Sequence, residues 1–128
     1  MKVKCKSSST TVLPTKQRNY AFTQNDQGVV DLTPGREYEV YGLRANQEGK
    51  FYLVLTDTIH NNLPWWMPEG FFDNTEEEIP SLWIQREWGK INKDRITSSP
   101  QYFDAIDDIE DGTEKGHQVF EKMKQELA

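Results

Sequence analysis

The chain has one cysteine and few histidines, and this excludes several kinds of covalent, metal and catalytic site. Cys5 is the only cysteine among 128 residues, so no internal disulfide and no zinc site built from several thiolates can form. There are two histidines, and the glycine-rich phosphate loop and the HExxH and GxSxG motifs are missing. We therefore expect no enzyme activity, no cofactor and no metal site.

Long apolar segments are also missing. No segment approaches the roughly 20 apolar residues that a membrane-spanning helix needs. Lys2, Lys4 and Lys6 are followed by a Ser/Thr run at 7–11 and not by the apolar region of a secretory signal. Together with the single cysteine, this predicts a cytoplasmic protein without a membrane partner.

Positive charge is scarce in the second half of the chain. Residues 1–72 hold eight Lys/Arg against seven Asp/Glu, whereas residues 73–128 hold seven against fourteen, and the net charge is -6. An acidic surface repels the phosphate backbone, which argues against a nucleic-acid partner. The charge instead favours a basic protein as the partner.

Aliphatic residues are few, and aromatic residues must replace them in the core. The hydrophobic fraction is only 35%, but the chain has four Trp, five Tyr and six Phe. The length predicts one domain over residues 1–128. The densest aromatic cluster, Trp65-Trp66 with Phe71-Phe72, is expected to fill mainly the core, with at least one tryptophan exposed.

Short apolar runs separated by Gly/Pro turns occupy the chain up to about residue 97. Leu32-Thr33-Pro34-Gly35 suits a type II turn, and a polar turn at 45–49 predicts a hairpin. Gly42 indicates a bulge or bend, and the prolines around Trp65-Trp66 indicate an edge strand. Strands are predicted at 1–5, 36–43, 50–56, 63–68, 82–88 and 90–97.

Helical spacing appears only after residue 98. Ser99-Pro100 matches an N-cap followed by proline at the first helical position, and this helix should end near Gly112. Thr113 can cap a second helix whose apolar stripe is Val119, Phe120, Met123 and Leu127. The predicted class is mainly β or α+β: a small antiparallel barrel or sheet over about 1–97 with a helical tail at 98–128.

Two groups of carboxylates are candidates for contact with a cationic partner. The loop group is Asp73, Glu76, Glu77 and Glu78, and the tail group is Asp104, Asp107, Asp108, Glu110 and Asp111. Spacings of three and four residues in the tail place like charges on one helix face. Each such pair destabilises the helix by about a few tenths of a kcal/mol, and a cationic partner would relieve this repulsion. An ordinary solvated face is the alternative. The tail lacks the ligand pattern of an EF-hand.

Several segments of the chain resemble small bacterial SH3-like barrel proteins. They are the turn and strand at Thr33–Leu43, the hairpin to Thr56, Pro64–Pro68 and Leu82-Trp83. Such proteins are encoded beside contact-dependent and other polymorphic toxins and serve as their immunity partners. The resemblance covers about residues 30–90 and implies an SH3-like barrel. It also implies that the protein blocks a cognate toxin domain, often a basic nuclease, with acidic residues on the phosphate-binding surface of the toxin.

Two other functions remain open on these residues. A peptide-binding adaptor of SH3 or Tudor type would line a groove for proline-rich or methylated peptides with Tyr41, Trp65, Trp66 and Phe72. An acidic DNA mimic of the phage type would use the same carboxylates as an immunity protein. Trp65 and Trp66 therefore join the two acidic groups as candidate partner-binding residues.

Overall fold

The computed structural model describes residues 1–14, 29–57, 62–73, 78–89 and 93–127. The strands in these ranges are β1 (Lys2–Lys4), β2 (Glu37–Glu39), β3 (Gly42–Asn46), β4 (Gly49–Val54), β5 (Trp65–Pro68), β6 (Ile84–Trp88) and β7 (Asp94–Ser98). The helices are α1 (Pro100–Asp104), α2 (Ile106–Asp111) and α3 (Glu114–Leu127), and 3₁₀ turns lie at Thr10–Val12 and Glu69–Phe71.

The strands form two antiparallel sheets. One sheet has five strands in the order β5-β4-β3-β7-β6, and β1 pairs with β2 in the other. The α+β class with C-terminal helices is confirmed. The five-stranded sheet is open, with β5 and β6 at its edges. A barrel, as predicted from the sequence, would have been a closed ring of strands. Helices cover one of its faces, so its apolar side chains are buried without closure.

The predicted turn and hairpin are both present. Gly35 has a φ of 89°, and the Arg36 amide donates to the Thr33 carbonyl, as a type II turn requires. In the hairpin Asn46 pairs with Gly49, so the turn is shorter than the predicted 45–49. The predicted edge strand is β5, and it ends at Pro68.

The strand predicted at 36–43 is divided into two strands of different sheets. β2 ends at Glu39, and β3 begins at Gly42 and pairs with β4 and β7. A Cβ atom at Gly42 would lie 3.2 Å from the Trp66 ring. The glycine thus marks the bend and also makes room for an aromatic side chain on the neighbouring sheet surface.

The five-stranded sheet separates two apolar clusters. Along β4, Leu53 lies in the helix-side cluster, while Tyr52 and Val54 lie with the cluster on the opposite side. This two-sided burial explains why the β4 sequence is a nearly continuous apolar run. The opposite side is covered by β1, β2 and the N-terminal segment, whose buried members include Val3 and Tyr38.

The helical tail packs onto the sheet. Residues Tyr102, Phe103, Ile106, Ile109, Phe120 and Met123 join Tyr41, Leu53 and Ile96 in one cluster. The predicted first helix is broken at Ala105 (φ -133°, ψ 24°) into α1 and α2, and α2 ends at left-handed Gly112 as expected. The Thr113 hydroxyl accepts a hydrogen bond from the Gly116 amide, which confirms the predicted cap of α3. Within the described ranges, the helices are too short and too polar to cross a membrane.

Candidate interaction surface

The tail carboxylates lie on the outer side of α1 and α2 because the buried residues define the inner side. Ile106 and Ile109 are buried in the helix-side cluster, and Asp107, Glu110 and Asp111 point away from it and are exposed. We call these three residues the acidic face. Asp104 is also exposed but belongs to α1, before the break at Ala105, so the predicted single helix face does not include it.

The pKa of Glu110 reflects first the partial burial of its carboxyl group and then the charges around it. Partial burial of its carboxyl group raises its pKa above the usual range, and Asp107 and Asp111 add to the rise, whereas Arg44 opposes it. No ion pair to Asp107, Glu110 or Asp111 occurs among the residues that the structure describes. Three carboxylates thus lie on one face of α2 without an ion pair from the described chain, although the charge of Arg44 acts on Glu110.

Asp108 has a different role from its neighbours. Its Oδ1 accepts a hydrogen bond from Thr113 Oγ1 at 2.8 Å, and its Oδ2 lies 3.7 Å from Lys115 Nζ. Its backbone carbonyl oxygen accepts from the Thr113 amide at 3.0 Å. Asp108 was predicted as a contact residue, and these bonds show that it also joins α2 to α3.

Of the four loop carboxylates, the structure describes Asp73 and Glu78. Glu76 and Glu77 fall outside the described residues. Asp73 is exposed, and its amide donates to the Lys4 carbonyl of β1, on the side of the sheet opposite to the helices. Glu78 is exposed as well. The fold therefore places Asp73 and the acidic face on opposite sides of the five-stranded sheet.

The two adjacent tryptophans of β5 have different environments because successive side chains of a strand alternate between faces. Trp65 is 44% exposed, which fulfils the expectation of at least one exposed tryptophan. Trp66 is half-buried and meets the ring of Tyr102 edge-on at a centroid distance of 6.2 Å. Trp66 thus contributes to the helix-side core, as most of this cluster was expected to do.

The four aromatic residues predicted to line a peptide groove do not lie together, so this prediction is wrong. Tyr41 is 6% exposed and packs in the helix-side cluster, whereas Phe72 is 3% exposed and packs in the cluster on the other face of the sheet. The sheet separates them, so these residues cannot line one groove with Trp65 and Trp66. Their aromatic rings were needed for the two cores because aliphatic residues are scarce.

Sequence reasoning missed a partly buried charge network beside Glu110. Arg44 of β3 donates to Asp94 Oδ2 at 2.6 Å, and Asn46 donates to Asp94 Oδ1 at 2.9 Å. The Arg44 guanidinium also lies over the Trp66 ring, 5.8 Å from its centroid. The partners are about 50 positions apart on β3 and β7, so only the register of the sheet brings them together.

A second feature that the sequence did not reveal is a cavity of about 310 Å³ between the segment before β6 and the last turns of α3. Its apolar wall comes from Pro80, Leu82, Trp83 and Met123. Its polar groups come from Ser81, Ser99 and Glu126. Leu82 at this cavity is 80% exposed, the highest value among the exposed large apolar side chains of the described chain.

The described ranges contain no cluster of three or more His, Cys, Asp or Glu side chains arranged to hold a metal ion. Comparison of the chain with protein-family models, with curated proteins and with solved structures finds no match.

Proposed function

We propose that this protein is a cytoplasmic inhibitor of the immunity type, which binds a basic toxin domain and covers its active site. The observation that carries the proposal is the acidic face, where Asp107, Glu110 and Asp111 are exposed side by side without an ion pair from the described chain. A protein gains little stability from such an arrangement, because like charges repel across one helical turn.

A basic partner converts this repulsion into attraction. Nuclease domains bind phosphate groups with clustered Lys and Arg, and three carboxylates on a rigid helix present a similar charge to those side chains. The packing of Ile106 and Ile109 holds α2 on the sheet, so the carboxylates are ordered before binding. The net charge of -6 would also steer the encounter with a basic protein.

The test compares three versions of the tagged protein as bait in an extract of the producing cell. The wild type is compared with D107N/D111N and with the control E37Q/E87Q, which removes the same amount of charge from exposed residues outside the acidic face. Retained proteins are identified by mass spectrometry, and the affinity of the purified partner is then measured at about 0.05 M and about 0.3 M salt.

The proposal expects a stoichiometric basic nuclease that binds the wild type and the control equally. D107N/D111N should bind at least about tenfold more weakly, and the difference should shrink as salt rises. The purified nuclease should lose activity when the wild type is added. Equal affinity of D107N/D111N and the control would refute the role of the acidic face. Capture of a restriction or repair enzyme would indicate a DNA mimic in place of an immunity protein.

A further inference from the structure

The cavity beside α3 contains oxygen acceptors that the fold leaves unused. Ser99 occupies the N-cap position of α1, yet its side chain forms no capping hydrogen bond. The Ser99 Oγ atom is buried and has no hydrogen-bond partner among the described residues. A buried hydroxyl without a partner is costly, and because Ser99 lines the cavity, a hydrogen-bond donor bound there is a candidate partner.

Glu126 adds a carboxylate to this cavity, and Gln101, which does not line the cavity itself, holds that carboxylate in place. Gln101 Nε2 donates to Glu126 Oε1 at 2.6 Å, which fixes the orientation of the glutamine amide and holds the carboxylate at the cavity. The amide oxygen of Gln101 is buried and lacks a hydrogen-bond partner in the described chain. A carboxylate accepts up to about four hydrogen bonds, so Glu126 retains capacity for a ligand.

The rest of the cavity suits a flat cation with an aliphatic stem. The cavity residues include no Lys or Arg, and Trp83, Pro80 and Met123 supply apolar walls. Guanidinium is planar, carries five donors and stacks on aromatic rings, whereas an ammonium group has three donors on a compact, strongly hydrated centre. At about 310 Å³ the cavity is at the lower end of the range of ligand pockets, which leaves enough room for one arginine side chain.

We propose that this cavity binds an arginine side chain of the basic partner. The guanidinium would pair with Glu126, and its stem would lie against Trp83 and Met123. The exposed Leu82 at the rim would contact the flanking apolar residue of the partner. This inference rests on the proposed function for the identity of the partner, but the cavity and its preference for arginine can be tested without it.

The test is an NMR titration of the full chain, labelled with ¹⁵N, with N-acetyl-arginine amide. N-acetyl-citrulline amide is the matched ligand control because it has nearly the same shape but carries an uncharged urea in place of the guanidinium. The Trp83 indole N–H signal, assigned with W83F, reports on the cavity. We expect a saturable shift with a dissociation constant on the order of 1 mM for the arginine ligand. The citrulline ligand should bind at least about tenfold more weakly.

Variants then locate the charge. E126Q should weaken the arginine ligand about tenfold, whereas E87Q, which changes an exposed carboxylate outside the cavity, should not. Equal shifts from both ligands, or an unmoved Trp83 signal at about ten times the expected dissociation constant, would overturn the inference. D107N/D111N should leave this titration unchanged, so a failure of the acidic face and a failure of the cavity are separate results.

Discussion

Replacement of Gly116 by alanine tests the packing of α3 against α2, because two arguments predict opposite signs. Gly116 lies in the first turn of α3, and glycine inside a helix costs about 1 kcal/mol relative to alanine. The helix alone therefore predicts that G116A stabilises the protein. In the fold, however, a Cβ atom at this position would lie 2.1 Å from the Asp108 carbonyl oxygen and 2.7 Å from the Ile109 nitrogen.

The magnitude follows from which atoms must move. Both close contacts are with backbone, so the new methyl group cannot be accommodated by rotation of a flexible side chain. Overpacking of this kind costs typically 1–3 kcal/mol, and we take about 3 kcal/mol because backbone must shift. After the gain of about 1 kcal/mol in helix propensity, the net loss is about 2 kcal/mol. For a domain of this size that is a decrease in Tm of roughly 8 °C.

The measurement is urea unfolding followed by tryptophan fluorescence, supported by thermal unfolding followed by circular dichroism. Q118A is the control, because Gln118 is exposed on the same helix and its replacement should change stability by less than about 0.5 kcal/mol. A G116A variant as stable as the wild type, or more stable, would show that α2 and α3 do not approach as closely as described.

Three further changes test other parts of the structure. Y38F removes a hydroxyl that donates to Asp57 Oδ1 at 2.6 Å, and should lower the free energy of unfolding by about 1–2 kcal/mol in urea titration; an unchanged value contradicts the bond. R44M leaves the buried Asp94 carboxylate without its cation and should lower the free energy of unfolding by about 3 kcal/mol. In a double-mutant cycle, the same change made in a D94N background should lower it by less. Strictly additive effects would show that the two residues are not coupled. Because the pKa of Glu110 is raised in the fold, the stability it contributes is present below the unfolded pKa, near 4.5, and is lost as pH rises through the folded pKa. E110Q should thus match the wild type at about pH 3.5 and exceed it in unfolding free energy at pH 7, and a pH-independent difference would contradict this.

Turns and helix ends were predictable because their signals are local. The proline and glycine of the turn at 34–35 specify its dihedral angles, and Thr113 and Gly112 mark the joint between two helices. The break at Ala105 was not predictable. Nothing in its sequence neighbourhood interrupts the helical spacing, and the break accompanies the packing of Tyr102 and Ile106 against the sheet.

The candidate surfaces were also predictable from the sequence only in part. The exposed acidic residues of α2 were predictable because buried isoleucines at helical spacing leave only one side for carboxylates. The separation of Asp73 from that surface was not, because it depends on which side of the sheet each segment covers. Tyr41 and Phe72 are alike in type, yet they are buried in different cores for the same reason.

The sequence alone determined the α+β class, the antiparallel hairpin, the Thr113 cap of α3, the end of α2 at Gly112 and the excess of negative charge in the tail. Each of these depends on residues within a few positions of one another or on a sum over the chain. The tertiary structure decided the open sheet, the Arg44–Asp94 pair and the cavity between Trp83 and Glu126. These features join residues that are distant along the chain. Sheet register and helix packing bring those residues together, and neither can be read from a local sequence pattern.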